Sequence, residues 1–291
     1  MTTPPIGANL WIWDSPVTTD VIRERAPQVA AMGFDAIELP LETAVDWSAR
    51  EVKPILDATG LAPGVCAAMG PGRDLTTDDA RTVDGTQSYL RSCIEHAAAI
   101  GASVVSGPIY TPTGQTGAIS ADDRARKLEL LVKNFAPVLE IAGAHGVRLA
   151  LEPLNRFETS LFNTVAQTMA LIDAVGHPAL GLLLDTFHMN IEERDIGAAI
   201  RLAGDRLVHV HACGNDRGAP GHDGIDWFAI RDALRDVGYA GAVTIESFTS
   251  ANKTIATAAS IWRPLATSQD ALAADGLAFL REVFSRDPAG Q

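Results

Sequence analysis

A chain of 291 residues, 47% hydrophobic and 20% charged, is long enough for one large core and has no bias toward disorder or fibrous repeats. A formal net charge of −13 repels a long polyanion, which excludes nucleic acid as an expected partner. No stretch approaches the roughly 18 uninterrupted apolar residues of a membrane span, and the opening Met-Thr-Thr-Pro-Pro has neither the basic nor the apolar region of a secretory signal. The expectation is a cytoplasmic protein with no membrane partner.

In chain order, short β-like runs alternate with longer amphipathic stretches. A strand over 6–13 is followed by a helix over 19–32, then come strands over 36–40 and 63–69. A helix over 87–100, a strand over 103–109, a helix over 122–144, a strand over 148–154 and a helix over 164–175 continue the pattern. The last units are a strand over 180–186, a helix over 196–202, a strand over 207–212, a helix over 227–237 with Asp226 as its N-cap, and a strand over 242–247. An excursion over 250–268 carries Trp262 and Arg263, a final helix spans 269–284, and a Pro- and Gly-containing tail over 285–291 reads as frayed.

Gly33, Gly101, Gly146 and Gly238 each fall between a helix and the next strand, where a left-handed cap lets the helix stop. Eight βα units with such turns predict an α/β fold, a single (β/α)8 barrel over 1–291 without a domain boundary. An open doubly wound sheet is the runner-up, but no Gly-x-Gly-x-x-Gly follows a strand. Cys66, Cys93 and Cys213 are odd in number and scattered, which fits small packing residues better than disulfides or a thiolate zinc site.

Active sites of such barrels lie at the C-terminal ends of the strands. Glu152, Asp185, His211 and Glu246 end the runs of strands five to eight, in Leu-Ala-Leu-Glu, Leu-Leu-Leu-Asp, Val-His-Val-His and Val-Thr-Ile-Glu. A lone strand-end Glu is usually a solvated loop edge, and a lone strand His is usually a hydrogen-bonded core residue. Four on consecutive strands point instead to one metal. Three carboxylates and one imidazole without sulfur suit Mn²⁺, Co²⁺ or Mg²⁺ better than structural zinc. His209 shares the parity of His211 and lies one layer deeper.

Three segments carry a resemblance: Glu152-Pro153-Leu154-Asn155-Arg156-Phe157-Glu158, Leu184-Asp185-Thr186-Phe187-His188-Met189-Asn190-Ile191-Glu192-Glu193, and Gly238-Tyr239 through Glu246-Ser247-Phe248. Along nearly its whole length the chain resembles the xylose-isomerase-like TIM barrels, and within them the ketose 3-epimerases of D-tagatose, D-psicose (allulose) or L-ribulose. The resemblance implies that Glu152, Asp185, His211 and Glu246 hold the metal, Mn²⁺ first, and that Glu152 and Glu246 are also the acid/base pair. It further implies that Glu158, His188 and Arg217 orient the O1 and O2 end of the sugar, that C3 inverts through a metal-stabilised cis-enediolate, and that the chain forms a homodimer or homotetramer. From spacing alone, Glu158 and His188 read equally well as surface loop polarity, and Arg217 as a loop cation pairing with Asp216 or Asp223. Among Trp11, Trp13, Phe157, Phe187, Phe248 and Trp262, core packing is the default for any one, and Trp13 is the residue expected against the sugar.

Two loops depart from the family. The one after strand four reads Tyr110-Thr111-Pro112-Thr113-Gly114, and the one after strand seven reads Ala212-Cys213-Gly214-Asn215 where the 3-epimerases place a Glu. The leading expectation is a ketose 3-epimerase acting on an unphosphorylated ketohexose or ketopentose, because no Gly-rich phosphate loop is found. The alternative is a lyase with the same apparatus, an inosose-type dehydratase or the barrel subunit of a C-glycoside deglycosidase acting on 3-keto sugars. A barrel that only binds metal and sugar is the third reading.

Overall fold

A computed structural model describes residues 3–285 and closes the eight strands into one all-parallel barrel in sequence order. The strands are β1 Ile6–Asn9, β2 Ala36–Pro40, β3 Ala62–Cys66, β4 Val104–Gly107, β5 Arg148–Leu151, β6 Leu180–Asp185, β7 Leu207–Ala212 and β8 Val243–Ile245. β8 pairs with β1 through Ile6 and Val243, so neither terminal strand is left with unpaired backbone groups. The tail expected to fray lies outside the described residues apart from Ser285, which ends the last helix.

Outside the barrel run α1 Thr19–Met32, α2 Ala49–Thr59, α3 Ala80–Ile100, α4 Ala121–His145, α5 Val165–Val175, α6 Thr186–Glu192, α7 Ile196–Ala203, α8 Trp227–Asp236, α9 Lys253–Ala258 and α10 Gln269–Ser285. Among the described residues no helix is long and apolar enough to cross a membrane. Side-chain caps start many of them: Thr18 accepts from Val21 N, and Thr164 forms a capping box with Gln167. Gly33, Gly101, Gly146 and Gly238 all have the positive φ that the turns demand, between 67° and 94°. The apolar faces of these helices pack onto the outer faces of the strands and form the main core.

Several strands stop sooner than the apolar runs imply. β1 ends at Asn9, whose side-chain oxygen accepts from Trp11 N and starts a 3₁₀ turn over Leu10–Ile12. β5, β6 and β8 likewise end just before or at the site residues, so the expected strand ends are the first residues of the mouth loops. α2 fills the gap between the second and third strands as the alternation expects, whereas α6 and α9 occupy segments that the sequence reads as loop.

The upper barrel interior is polar. Glu38 on β2 accepts from Asn9 Nδ2 at 2.7 Å and from Ser106 Oγ at 2.6 Å. Its two oxygens also face His209 Nε2 at 3.0 Å and His211 Nε2 at 2.8 Å. This buried layer, drawn from β1, β2, β4 and β7, is the floor on which the site is built.

Candidate metal and active site

The parallel register sets Asp185 beside His211, and His211 beside Thr244, two residues before Glu246. Glu152 follows β5 directly, and its N–H donates to the Gly107 carbonyl at 3.1 Å. Gly107 is required here: it has φ 126°, and a Cβ on it would stand 2.1 Å from the Ala67 carbonyl oxygen. Ligand atoms of Glu152, Asp185, His211 and Glu246 all lie within 4.8 Å of one another, and all four residues are buried.

These atoms fit a divalent cation. Glu152 Oε1 and His211 Nδ1 are buried without a hydrogen-bond partner among the described residues, an arrangement that costs free energy unless something positive is held there. Burial, reinforced by Glu246, pushes the Glu152 carboxyl well above its usual pKa. Burial likewise lifts Asp185 to about 6, against the opposing pull of Arg217. Three close carboxylates in a low-dielectric pocket are poor neighbours for each other and good ligands for a hard ion.

His211 is set by Glu38. Burial would drive its pKa down, but Glu38 and Glu246 outweigh that and hold it well above the usual range. Glu38 is held ionised by His211 and His209 against its own burial. An ionised carboxylate only accepts, so Nε2 carries a hydrogen toward Glu38 and Nδ1 is the nitrogen turned to Glu246, 3.4 Å from its Oε2.

The remaining predicted residues converge on the same place, with one exception. Arg217 is buried, donates from Nη1 to Asp185 Oδ2 at 2.6 Å, and lies 3.4 Å from Glu246 Oε2. It takes a positive φ of 69°, and its guanidinium stacks over Phe187 at 4.1 Å and faces Phe248 at 5.3 Å. Asp216 pairs instead with Arg263, and Asp223 accepts from Trp227 Nε1, so the surface reading of Arg217 is not what the fold adopts. His188, on α6, accepts on Nδ1 from Asn155 N at 3.1 Å and is kept neutral by burial and by Arg217. Glu158 accepts from Asn155 Nδ2 at 2.8 Å.

Glu152, Glu246, Glu158, His188 and Arg217 line one mouth cavity of about 570 Å³. Trp13 is the exception: its indole N–H donates to Asp270 Oδ1 at 2.7 Å and it packs toward α10, away from the cavity wall. Trp11 lines the cavity instead. The expected strand over 6–13 would keep both on one face, whereas the 3₁₀ turn after Asn9 breaks that alternation. Phe157 and Trp262 stand in solvent at 72% and 85% exposure, and Tyr110 packs edge-on to Phe162 in the core. Cys66, Cys93 and Cys213 are buried free thiols.

Sequence reasoning passed over Glu38, Asn9, Ser106 and Glu42. The signal for Glu38 was present: a carboxylate at the centre of Ala36-Ile37-Glu38-Leu39-Pro40, a strand otherwise apolar, must be paired in the interior.

Residues 26–283 match the family model described as xylose isomerase-like TIM barrel. The chain is 38% identical over 253 residues to a probable ketose 3-epimerase of Synechocystis sp., covering 87% of each. It is 32% identical over 264 residues to a D-psicose 3-epimerase of Ruminiclostridium cellulolyticum, covering 89% of each. The crystal structure of a D-allulose 3-epimerase from Methylomonas sp. in complex with D-allulose superposes with a TM-score of 0.87 at 28% identity, over 97% of this chain and 98% of that one. The chain therefore belongs to the xylose isomerase-like TIM-barrel family, as an isomerase-class enzyme among the ketose 3-epimerases.

Proposed function

We propose that this single-domain chain is a metal-dependent ketose 3-epimerase that inverts C3 of an unphosphorylated ketohexose or ketopentose. The observation that carries the reading is the placement of two buried carboxylates, Glu152 and Glu246, in one cluster with Asp185 and His211 at the floor of a sugar-sized cavity. The D-psicose and D-allulose 3-epimerases among the relatives support the substrate class.

A divalent ion held by Glu152, Asp185, His211 and Glu246, Mn²⁺ before Co²⁺ or Mg²⁺, supplies Lewis acidity against negative charge developing on the substrate oxygens. The chain supplies the proton traffic. One of Glu152 and Glu246 removes the C3 proton and the other returns a proton to the opposite face, the minimum required for inversion. Asp185 and His211 take no proton from carbon and fix the geometry. His188, whose Nδ1 accepts from the Asn155 N–H, lies with Nε2 3.0 Å from Arg217 Nη2, so imidazole and guanidinium stand side by side on the cavity wall at the end of the sugar they orient. Arg217 and Glu158 hold the same end of the sugar, and the apolar walls from Leu154 and Phe248 exclude water from the reacting carbon.

Incubating the Mn²⁺-loaded protein with D-fructose, D-tagatose or L-ribulose and resolving the sugars by chromatography tests this directly. The expected result is the C3 epimer of at least one of them, lost on chelation and restored by added metal. An eliminated fragment in place of an epimer would move the reading to a lyase. Light scattering and cell fractionation check the accompanying proposals of a homodimer or homotetramer located in the cytoplasm.

A further inference from the structure

The cavity extends well past the reacting end of a sugar, and its outer wall is built around Glu42. This residue follows β2, four positions beyond Glu38, hence up to about 13 Å further toward the mouth if the chain stays extended. Its Oε1 is held by two donors, Trp11 Nε1 at 3.0 Å and Ser15 Oγ at 2.6 Å. Its Oε2 has no partner among the described residues, although Glu42, Trp11 and Ser15 all line the cavity that contains Glu152 and Glu246.

The surroundings keep that carboxylate in place. Arg73 donates from Nη2 to the Glu42 carbonyl at 2.6 Å and from Nη1 to the Ala68 carbonyl at 2.8 Å, tying the loops after β2 and β3 together. Its guanidinium lies 3.5 Å over the Tyr89 ring, so both Nη groups are turned onto backbone and away from Glu42's carboxylate. Opposite, α9 brings Ile255 and Ala258 to the cavity, and its N-cap Asn252 donates to the Trp11 carbonyl at 2.9 Å. The outer half thus has one flat aromatic, one apolar wall and one anchored acceptor. With the Arg73 guanidinium at the same wall spent on backbone carbonyls, that combination suits the hydroxylated carbon chain of a sugar.

Resting on the ketose reading above, we propose that Glu42 is a specificity-determining residue that reads the far end of the substrate, accepting a hydroxyl hydrogen on Oε2. A hydrogen bond to a charged acceptor is worth on the order of ten- to a hundred-fold in affinity. Removing it weakens only those sugars long enough to reach it.

The test compares the Mn²⁺-loaded wild type with E42L and E42Q, using a ketohexose, D-fructose, and a ketotetrose, L-erythrulose, which lacks the far carbons. Calorimetry gives Kd, and C3 deuterium exchange gives kcat and KM. In E42L the D-fructose Kd and KM rise about ten-fold or more with kcat little changed, while the erythrulose values stay within about two-fold. E42Q, which retains an acceptor oxygen, falls between. A melting curve for each variant, and Ser15→Ala, which removes an anchor but not the acceptor, separate recognition from loop collapse. Equal losses for both sugars, or no loss for either, overturn the proposal. Wild-type protein that binds D-fructose more tightly than erythrulose, and loses that preference in E42L, yet exchanges no C3 proton would sink the epimerase reading and uphold Glu42. Wild-type protein that binds neither sugar would overturn both.

Discussion

Arg217 Nη1 and Asp185 Oδ2 lie 2.6 Å apart in a buried ion pair at the centre of three carboxylates. With Glu152, Asp185 and Glu246 ionised, one guanidinium offsets one of three negative charges, and a divalent ion would offset the other two. The pair therefore sets both the stability of the metal-free protein and its appetite for metal. Replacing Arg217 with Met strands a buried carboxylate, which typically costs about 3–5 kcal/mol. The expected outcome is a metal-free variant with a strongly lowered melting temperature, partly restored by saturating Mn²⁺. A variant melting like wild type in chelator would contradict it.

Glu38 touches no substrate, yet it fixes which nitrogen of His211 faces the cluster. Loss of such an outer partner of a ligating histidine commonly lowers metal affinity about 10–100-fold. E38Q is expected to show that loss by calorimetry with Mn²⁺ while retaining the barrel's circular dichroism. Wild-type affinity in E38Q would remove Glu38 from the account.

Proton competition gives the site a pH dependence of definite sign. Asp185 is lifted to about 6 by burial, and Glu152 is raised well above the usual carboxylate range. Asp185 then carries a proton at pH 5 in the metal-free protein, and Glu152 and His211 are shifted toward their protonated forms as well. Each proton must leave before the group can ligate, so apparent Mn²⁺ affinity should rise with pH from about 5 through 6 and beyond, with net proton release on binding. The same shifts mean that these carboxyl groups bind protons more tightly when folded than when unfolded. Metal-free stability from Asp185 is therefore fully present below its unfolded pKa and is lost as pH rises through about 6. Calorimetry in buffers of different ionisation enthalpy reads the proton count, and a pH-independent affinity between 5 and 7 would contradict the assignment.

The three thiols are buried, and burial pushes each upward, Cys93 to about 12. Native protein should resist iodoacetamide at pH 8, with all three modified only after denaturation, as counted by mass spectrometry. Rapid native modification of Cys213 would mean that the loop after β7 opens in solution.

Much of this was legible in the chain because the barrel repeats one physical pattern. A buried parallel strand needs an apolar run, and a helix that turns back needs a left-handed glycine, so Gly33, Gly101, Gly146 and Gly238 marked the period and the quartet fell at the right ends. Burial at both ends of a strand is local information. What failed was the exit from β1, where the Asn9 side chain competes for backbone N–H and ends the strand early, which moved Trp13 off the site and put Trp11 on it. Glu38 and Glu42 were missed for a different reason: their roles depend on partners at distances of 173 and 31 residues, His211 and Trp11, which no window along the sequence contains.

The central claim is that Glu152 and Glu246 move the C3 proton while Asp185 and His211 only hold the site. Its most direct test follows C3 by NMR in D₂O with Mn²⁺-loaded protein and an epimerised ketose, in wild type and in Glu152→Gln and Glu246→Gln variants, each checked for bound metal. Two bases on opposite faces predict deuterium at C3 in both epimers with wild type and epimerisation lowered by at least about 10³-fold in either metal-retaining variant, since positioned acid/base groups contribute up to about 10⁴-fold; C3 exchange survives only in the epimer whose proton faces the remaining carboxylate. Epimerisation without solvent deuterium at C3, or undiminished epimerisation in either variant, would contradict it.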